Sequence, residues 1–206
     1  MANRDAAFGL KPIRHLNGTP WNGVTQRCLV EDSDTTAVFI GDPVIVTGTA
    51  GSDDTSGLPV VTVATAGDTN RIYGVVVSVE PNPDNLTYKH IPASTGGYVN
   101  VCNDPDVIFI VQDDAQATLD GGSISANAVL AAGSGGSTVT GKSSWELDAS
   151  DAPAADASNQ VLILDIYKAP NNALGDNCIW EVLISNHVLR GGQAANNEGA
   201  LGIAGS

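Results

Sequence analysis

Positive charge, aromatic rings and cysteine are all scarce in this chain. Its 206 residues hold 9 Lys and Arg against 23 Asp and Glu, a net charge of −14, and only 5% are aromatic. Nucleic acid and anionic membrane both need a basic face large enough to release counterions or meet anionic headgroups, and so sparse a set of cations does not supply one. Cys28, Cys102 and Cys178 are odd in number and widely separated, with no Cys-x-x-Cys or Cys/His spacing that would point to zinc. They read as reduced, buried small hydrophobes. No apolar run approaches the roughly 20 residues of a membrane span. The opening residues also lack the apolar core of a secretory signal, so the expectation is a protein made and kept in cytosol. Long helical periodicity is missing as well, which argues against bundles and coiled coils.

What is present is strand-and-turn composition, 42% hydrophobic and leaning on Val, Ala, Gly and Thr. Short β-rich runs fall at 24–30, 37–40, 44–47, 60–65, 72–80, 98–102 and 107–112, separated by turn signals such as Gly41-Asp42-Pro43. Runs at 161–168 and 178–185 bracket a Pro/Asn/Gly turn and predict a hairpin. The expected fold class is mainly β, an antiparallel barrel or sandwich with an extended N-terminal arm and little helix. The body is expected over 24–189. Residues 120–159, rich in Gly, Ser, Ala and Asp, read as an insertion or outward lobe, and residues 190–206 as a flexible tail.

The N-terminus inverts the charge of the whole. Arg4, Lys11, Arg14 and Arg27 stand against a single acid, Asp5. Gly9, Pro12, Gly18, Pro20 and Gly23 break regular structure over residues 1–23, yet Phe8, Leu10, Ile13, Leu16 and Trp21 are too apolar for a solvated tail. The reading is a docking arm that buries Phe8, Leu10, Ile13 and Trp21 on a partner while Lys11, Arg14 and Arg27 meet its carboxylates. The plainer reading, an N-terminal strand of the body that happens to carry cations, stays open.

Signs of chemistry are few. Gly136-Ser-Thr-Val-Thr-Gly141-Lys142-Ser143 satisfies the phosphate-loop pattern, and Asp165 follows a strand as a magnesium ligand would. A working loop needs a helix starting at the Lys, whereas here small polar residues and Pro153 leave little room for one. Gly136, Gly141 and Lys142 are therefore read as a chance match, with nucleotide binding a remote alternative. His15, His90 and His187 sit in unrelated contexts, so no triad can be nominated and no catalytic residue is expected. The acidic pairs lack the fixed ligand spacing of a calcium loop, so neither metal nor cofactor is expected.

Three stretches carry a resemblance: Ala6-Ala-Phe-Gly-Leu-Lys-Pro-Ile-Arg-His-Leu-Asn-Gly18, the segment 101–113 from Val101 to Asp113, and the segment 171–187 from Asn171 to His187. Together they resemble the head decoration, or cement, proteins of tailed bacteriophages. That resemblance implies a β-rich, non-enzymatic virion protein, frequently a homotrimer, assembled in the host cytoplasm. Such a protein binds the outer surface of the expanded capsid and ties neighbouring major capsid protein subunits together. It implies no particular binding residue. The alternative is a carbohydrate- or receptor-binding surface module, with Trp145 or Tyr88 as a stacking platform.

Overall fold

Val107–Gln112, VIFIVQ, is buried at all six positions. A strand apolar on both faces has to sit inside a sheet with neighbours on both edges. The computed structural model, which describes residues 3–50 and 57–190, shows which neighbours these are. In chain order the strands are β1 (Lys11–His15), β2 (Gln26–Val30), β3 (Pro43–Ala50), β4 (Pro59–Val63), β5 (Gly74–Val79), β6 (Gly97–Cys102), β7 (Val107–Gln112), β8 (Asn127–Ala128), β9 (Leu130–Ala131), β10 (Glu146–Leu147), β11 (Val161–Ile166) and β12 (Ile179–Ile184). A 3-10 turn at Gly121–Ser123, capped by the Asp120 carboxylate accepting from the Gly122 N–H at 2.8 Å, is the one helical element among the described residues.

Three assemblies of strands result, the smallest an antiparallel pair of β9 and β10. The first is an antiparallel sheet in the order β1-β7-β12-β11-β8. It contains the predicted hairpin, with Val161 opposite Ile184 and Ile166 opposite Trp180. The second is a closed barrel in the order β2-β4-β3-β5-β6. Its pairings are antiparallel except for β2 beside β4. The fold is thus mainly β, as the composition predicts.

Period-two alternation builds the barrel. Cys28 and Val30 of β2, with Val99 and Val101 of β6, point inward beside Val44, Val61 and Val76. The opposite faces of β5 and β6 contribute Val75 and Cys102 to a second core, where Phe109, Trp180, Val182 and Ile163 of the sheet meet them. The barrel wall is therefore apolar on both sides, and full burial of each such Val or Ile stabilises the fold by about 1.5–3 kcal/mol. All three cysteines are free and buried, and burial raises the Cys28 and Cys102 thiols to about 11 and that of Cys178 to about 12. This agrees with their reading as inert hydrophobes.

Asp113 knots the end of β7 to the start of β12. Although fully buried, it accepts hydrogen bonds from the Trp180 Nε1–H at 2.9 Å and from the backbone N–H groups of Asn177 at 2.8 Å and Cys178 at 3.0 Å. Burial raises its pKa, and these donors act against that rise.

Two expectations about organisation change. No projecting arm is seen among the described residues: β1 lies antiparallel against β7, Lys11 opposite Ile110 and His15 opposite Val107. The open alternative, a strand of the body, describes this segment. Residues 120–159 do not form an outward lobe either, because Ala128, Leu130, Trp145, Leu147 and Ala149 belong to the main core. The expected tail lies, apart from Arg190, outside the described residues.

Candidate functional site

Two glycines set the geometry where β1 meets the barrel. Gly9 and Gly41 both have positive φ, at 72° and 101°. A Cβ on Gly9 would lie 2.4 Å from the Gly41 carbonyl oxygen, and one on Gly41 would lie 2.4 Å from the carbonyl oxygen of Phe8. The two backbones can approach this closely only without side chains. Leu10 N–H then donates to the Gly41 carbonyl at 2.9 Å, and Gly41 N–H donates to that of Val76 on β5 at 2.8 Å. The turn itself is held by Asp42, whose buried carboxylate accepts from the Phe39 N–H at 2.8 Å. Burial raises Asp42 to about 6, with hydrogen bonds from Ser143 and Phe39 acting against it.

The same turn fixes residues 136–143. Ile40 bridges Lys142 in parallel, its N–H donating to the Gly141 carbonyl at 2.9 Å and its carbonyl accepting from the Ser143 N–H at 2.8 Å. Within the loop, Ser137 N–H donates to the Lys142 carbonyl at 2.8 Å and Gly141 N–H to that of Ser137 at 2.7 Å. Thr140 and Lys142 N–H groups are taken by the hydroxyls of Ser137 and Thr140, each at 3.3 Å. A phosphate cradle needs these amides free and a helix behind them. Here the amides are spent inside the turn and the segment continues into β10, so Gly136, Gly141 and Lys142 make a closed β-type turn. Asp165 accepts from Lys168 Nζ at 2.7 Å.

A cleft of about 810 Å³ opens at this junction. Phe8, Leu10, Pro12, Trp21, Ile40 and Val76 are among its apolar lining residues. Lys11 and Lys142 also line it, as do the polar side chains of Ser78 and Asn100, and no carboxylate stands among its lining residues.

The residues expected to act together on a partner are thus divided. Phe8, Leu10, Lys11 and Trp21 converge on the cleft. Leu10 is only 2% exposed and is a core residue of this chain. Ile13 lies half-buried in β1. Arg14 and Arg27 do meet carboxylates, but those of their own body: Arg14 pairs with Glu181 at 2.5 Å, and Arg27 with Glu80 at 2.7 Å while lying 3.8 Å from the centre of the Tyr98 ring. Arg27 holds the Glu80 carboxyl below its usual range, first through that hydrogen bond.

No protein-family model, curated protein or solved structure significantly matches this chain.

The histidines stay apart. His15 lies 3.3 Å from Asp104. His90 stacks on Phe39 with ring centres 4.7 Å apart. His187 is fully buried, accepts from the Leu189 N–H at 3.0 Å and is lowered to about 4, chiefly by burial. Among the described residues no group of three His, Cys, Asp or Glu could hold a metal ion. Of the two rings nominated for stacking, Trp145 is 3% exposed and faces the core, while Tyr88 is 40% exposed.

Lys142 was visible in the sequence only as the lysine of a phosphate-loop pattern read as a chance match. Its place beside Lys11 depends on the bridge to Ile40, a pairing of residues about a hundred positions apart that no local pattern announces.

Proposed function

We propose that this chain is a structural protein of a tailed-bacteriophage virion, a head decoration protein that coats the outside of the capsid and ties major capsid subunits together. The observation that carries this reading is the cleft, an apolar and lysine-lined surface feature on an otherwise acidic β body. An acidic body repels its copies away from the attachment point while a localised cationic feature orients it on the shell. The resemblance of residues 6–18, 101–113 and 171–187 points to the same role. Attachment is made by a folded surface that includes β1, and many identical sites on the shell supply avidity to contacts of modest strength. On the shell the chain would act as the homotrimer that the resemblance implies.

The test uses heads assembled without this chain. Purified protein added to them should co-sediment to saturation, and electron microscopy should show added density on the outer surface. Absence of binding, or density confined to the interior or the tail, would overturn the reading. Saturable binding to a glycan array with no binding to heads would favour a surface sugar-binding role, for which exposed Tyr88 remains the available ring.

A further inference from the structure

Lys11 and Lys142 reach the cleft from distant parts of the chain, and neither forms an ion pair among the described residues. Two other cations of the first 27 residues are already committed, Arg14 to Glu181 and Arg27 to Glu80. Two uncompensated ammonium groups beside a cleft free of carboxylates are a distinctive feature in a chain of net charge −14. Long-range repulsion keeps an acidic partner off most of such a surface and directs it to the place where the sign reverses.

The apolar part of the lining includes the half-buried Phe8, Trp21, Ile40 and Val77, with Trp21 and Val77 packed against the core. The volume of about 810 Å³ is in the range of preformed ligand sites. Asn100 and Ser78, bonded to each other at 3.1 Å, add amide and hydroxyl groups to this lining. Such groups match the N–H and C=O groups of an extended peptide better than an aliphatic tail.

We infer that the cleft is the docking socket for a short acidic peptide segment of a partner protein, which seats an apolar side chain on the half-buried Phe8, Trp21 and Val77 and sets flanking carboxylates on Lys11 and Lys142. That the partner is a capsid subunit rests on the decoration reading, whereas the chemistry of the socket does not.

The full chain is titrated into the fluorescein-labelled hexapeptide Glu-Asp-Phe-Leu-Asp-Glu, and into a counterpart with Lys at every acidic position, and fluorescence anisotropy is read at low and high salt. Saturable binding of the acidic peptide alone, weakening with salt, is expected. Lys11→Glu combined with Lys142→Glu should lower affinity at least tenfold with the melting temperature unchanged. Thr25→Trp, which fills the cleft without altering charge, should also lower it. Equal binding of both peptides, no saturable binding, or full affinity in both variants overturns the inference. Sodium dodecanoate competing as tightly as the peptide would overturn the peptide occupant in favour of a fatty anion. Co-sedimentation with heads separates the two readings. A charge-reversed chain that loses the peptide yet still coats heads overturns the socket as the attachment point and leaves decoration standing. Lysine-dependent peptide binding by a wild-type chain that ignores heads supports the socket and removes decoration.

Discussion

Glu146 shows how a single side chain sets a pH response. Burial raises its carboxyl to about 7, and the charges of Asp5, Asp114 and Asp113 add to the rise. The folded state therefore holds its proton more tightly than the unfolded chain, so this group's contribution to stability is present at low pH and is lost as pH rises through about 7. Glu146→Gln removes the ionisable group but keeps the shape. At pH 8 the substitution should stabilise by roughly 1 kcal/mol after allowance for solvent screening, or about 2–4 °C in melting temperature. The difference should shrink as pH falls below 7 and vanish only below the unfolded value of 4.5, where the glutamate is protonated in both states. An equal shift at pH 8 and pH 4 in a thermal melt would show that charge is not the cause. Asp113 behaves differently because its donors depend on it. Asp113→Ala would strand the Trp180 indole N–H and two backbone N–H groups in the core, at a cost of about 3 kcal/mol in urea unfolding.

At the scale of elements, β1 matters most, because it moves the N-terminus from accessory to core. Leu10→Ala removes a side chain that is 2% exposed and should cost about 2–5 kcal/mol, far more than a docking residue on a free arm would. Arg14→Ala breaks a partly exposed pair and should cost no more than about 1 kcal/mol. Near-equal denaturation midpoints for these two variants would place β1 outside the cooperative fold. The clue to β1 was legible in β7: a six-residue run with no polar position before Gln112 is a central strand, and β12 covers only one of its edges. Which segment takes the other edge was not legible, since Pro12 and the flanking glycines hide a five-residue strand that bends at a register shift after Pro12. The barrel strands were readable because valines alternate between proline and glycine turns. Residues 120–159 were not, because small side chains carry no period, and two-residue strands such as β8 and β10 gain their place only from the core residues around them. Within the cleft, Phe8, Leu10, Lys11 and Trp21 could be picked out as a group of apolar and cationic residues, but the long-range pairing that brings Lys142 to the same cleft could not.

For the molecule as a whole, the shifted groups and the net charge predict a stability maximum on the acid side of neutrality. Glu146 at about 7 and Asp42 at about 6 are both raised by burial, so each favours the fold increasingly as pH falls from 8 towards 5. Asp113 is raised as well and acts in the same direction. His187 opposes them. Lowered from 6.5 to about 4, it favours the fold fully above 6.5, and that contribution is lost as pH falls through about 4. Above 6.5 the carboxylates act without opposition, while below it one histidine offsets part of what three carboxylates gain. Acidification also reduces the self-repulsion of a chain that carries −14 at neutral pH. The melting temperature should therefore climb from pH 8 to about pH 5.5, with the slope easing below 6.5. Combining Glu146→Gln with Asp42→Asn should flatten the climb by stabilising the protein at pH 8 rather than by weakening it at pH 5.5. A melting temperature that falls on acidification, or a slope untouched by the double substitution, would mean that exposed acids rather than these buried ones govern the response.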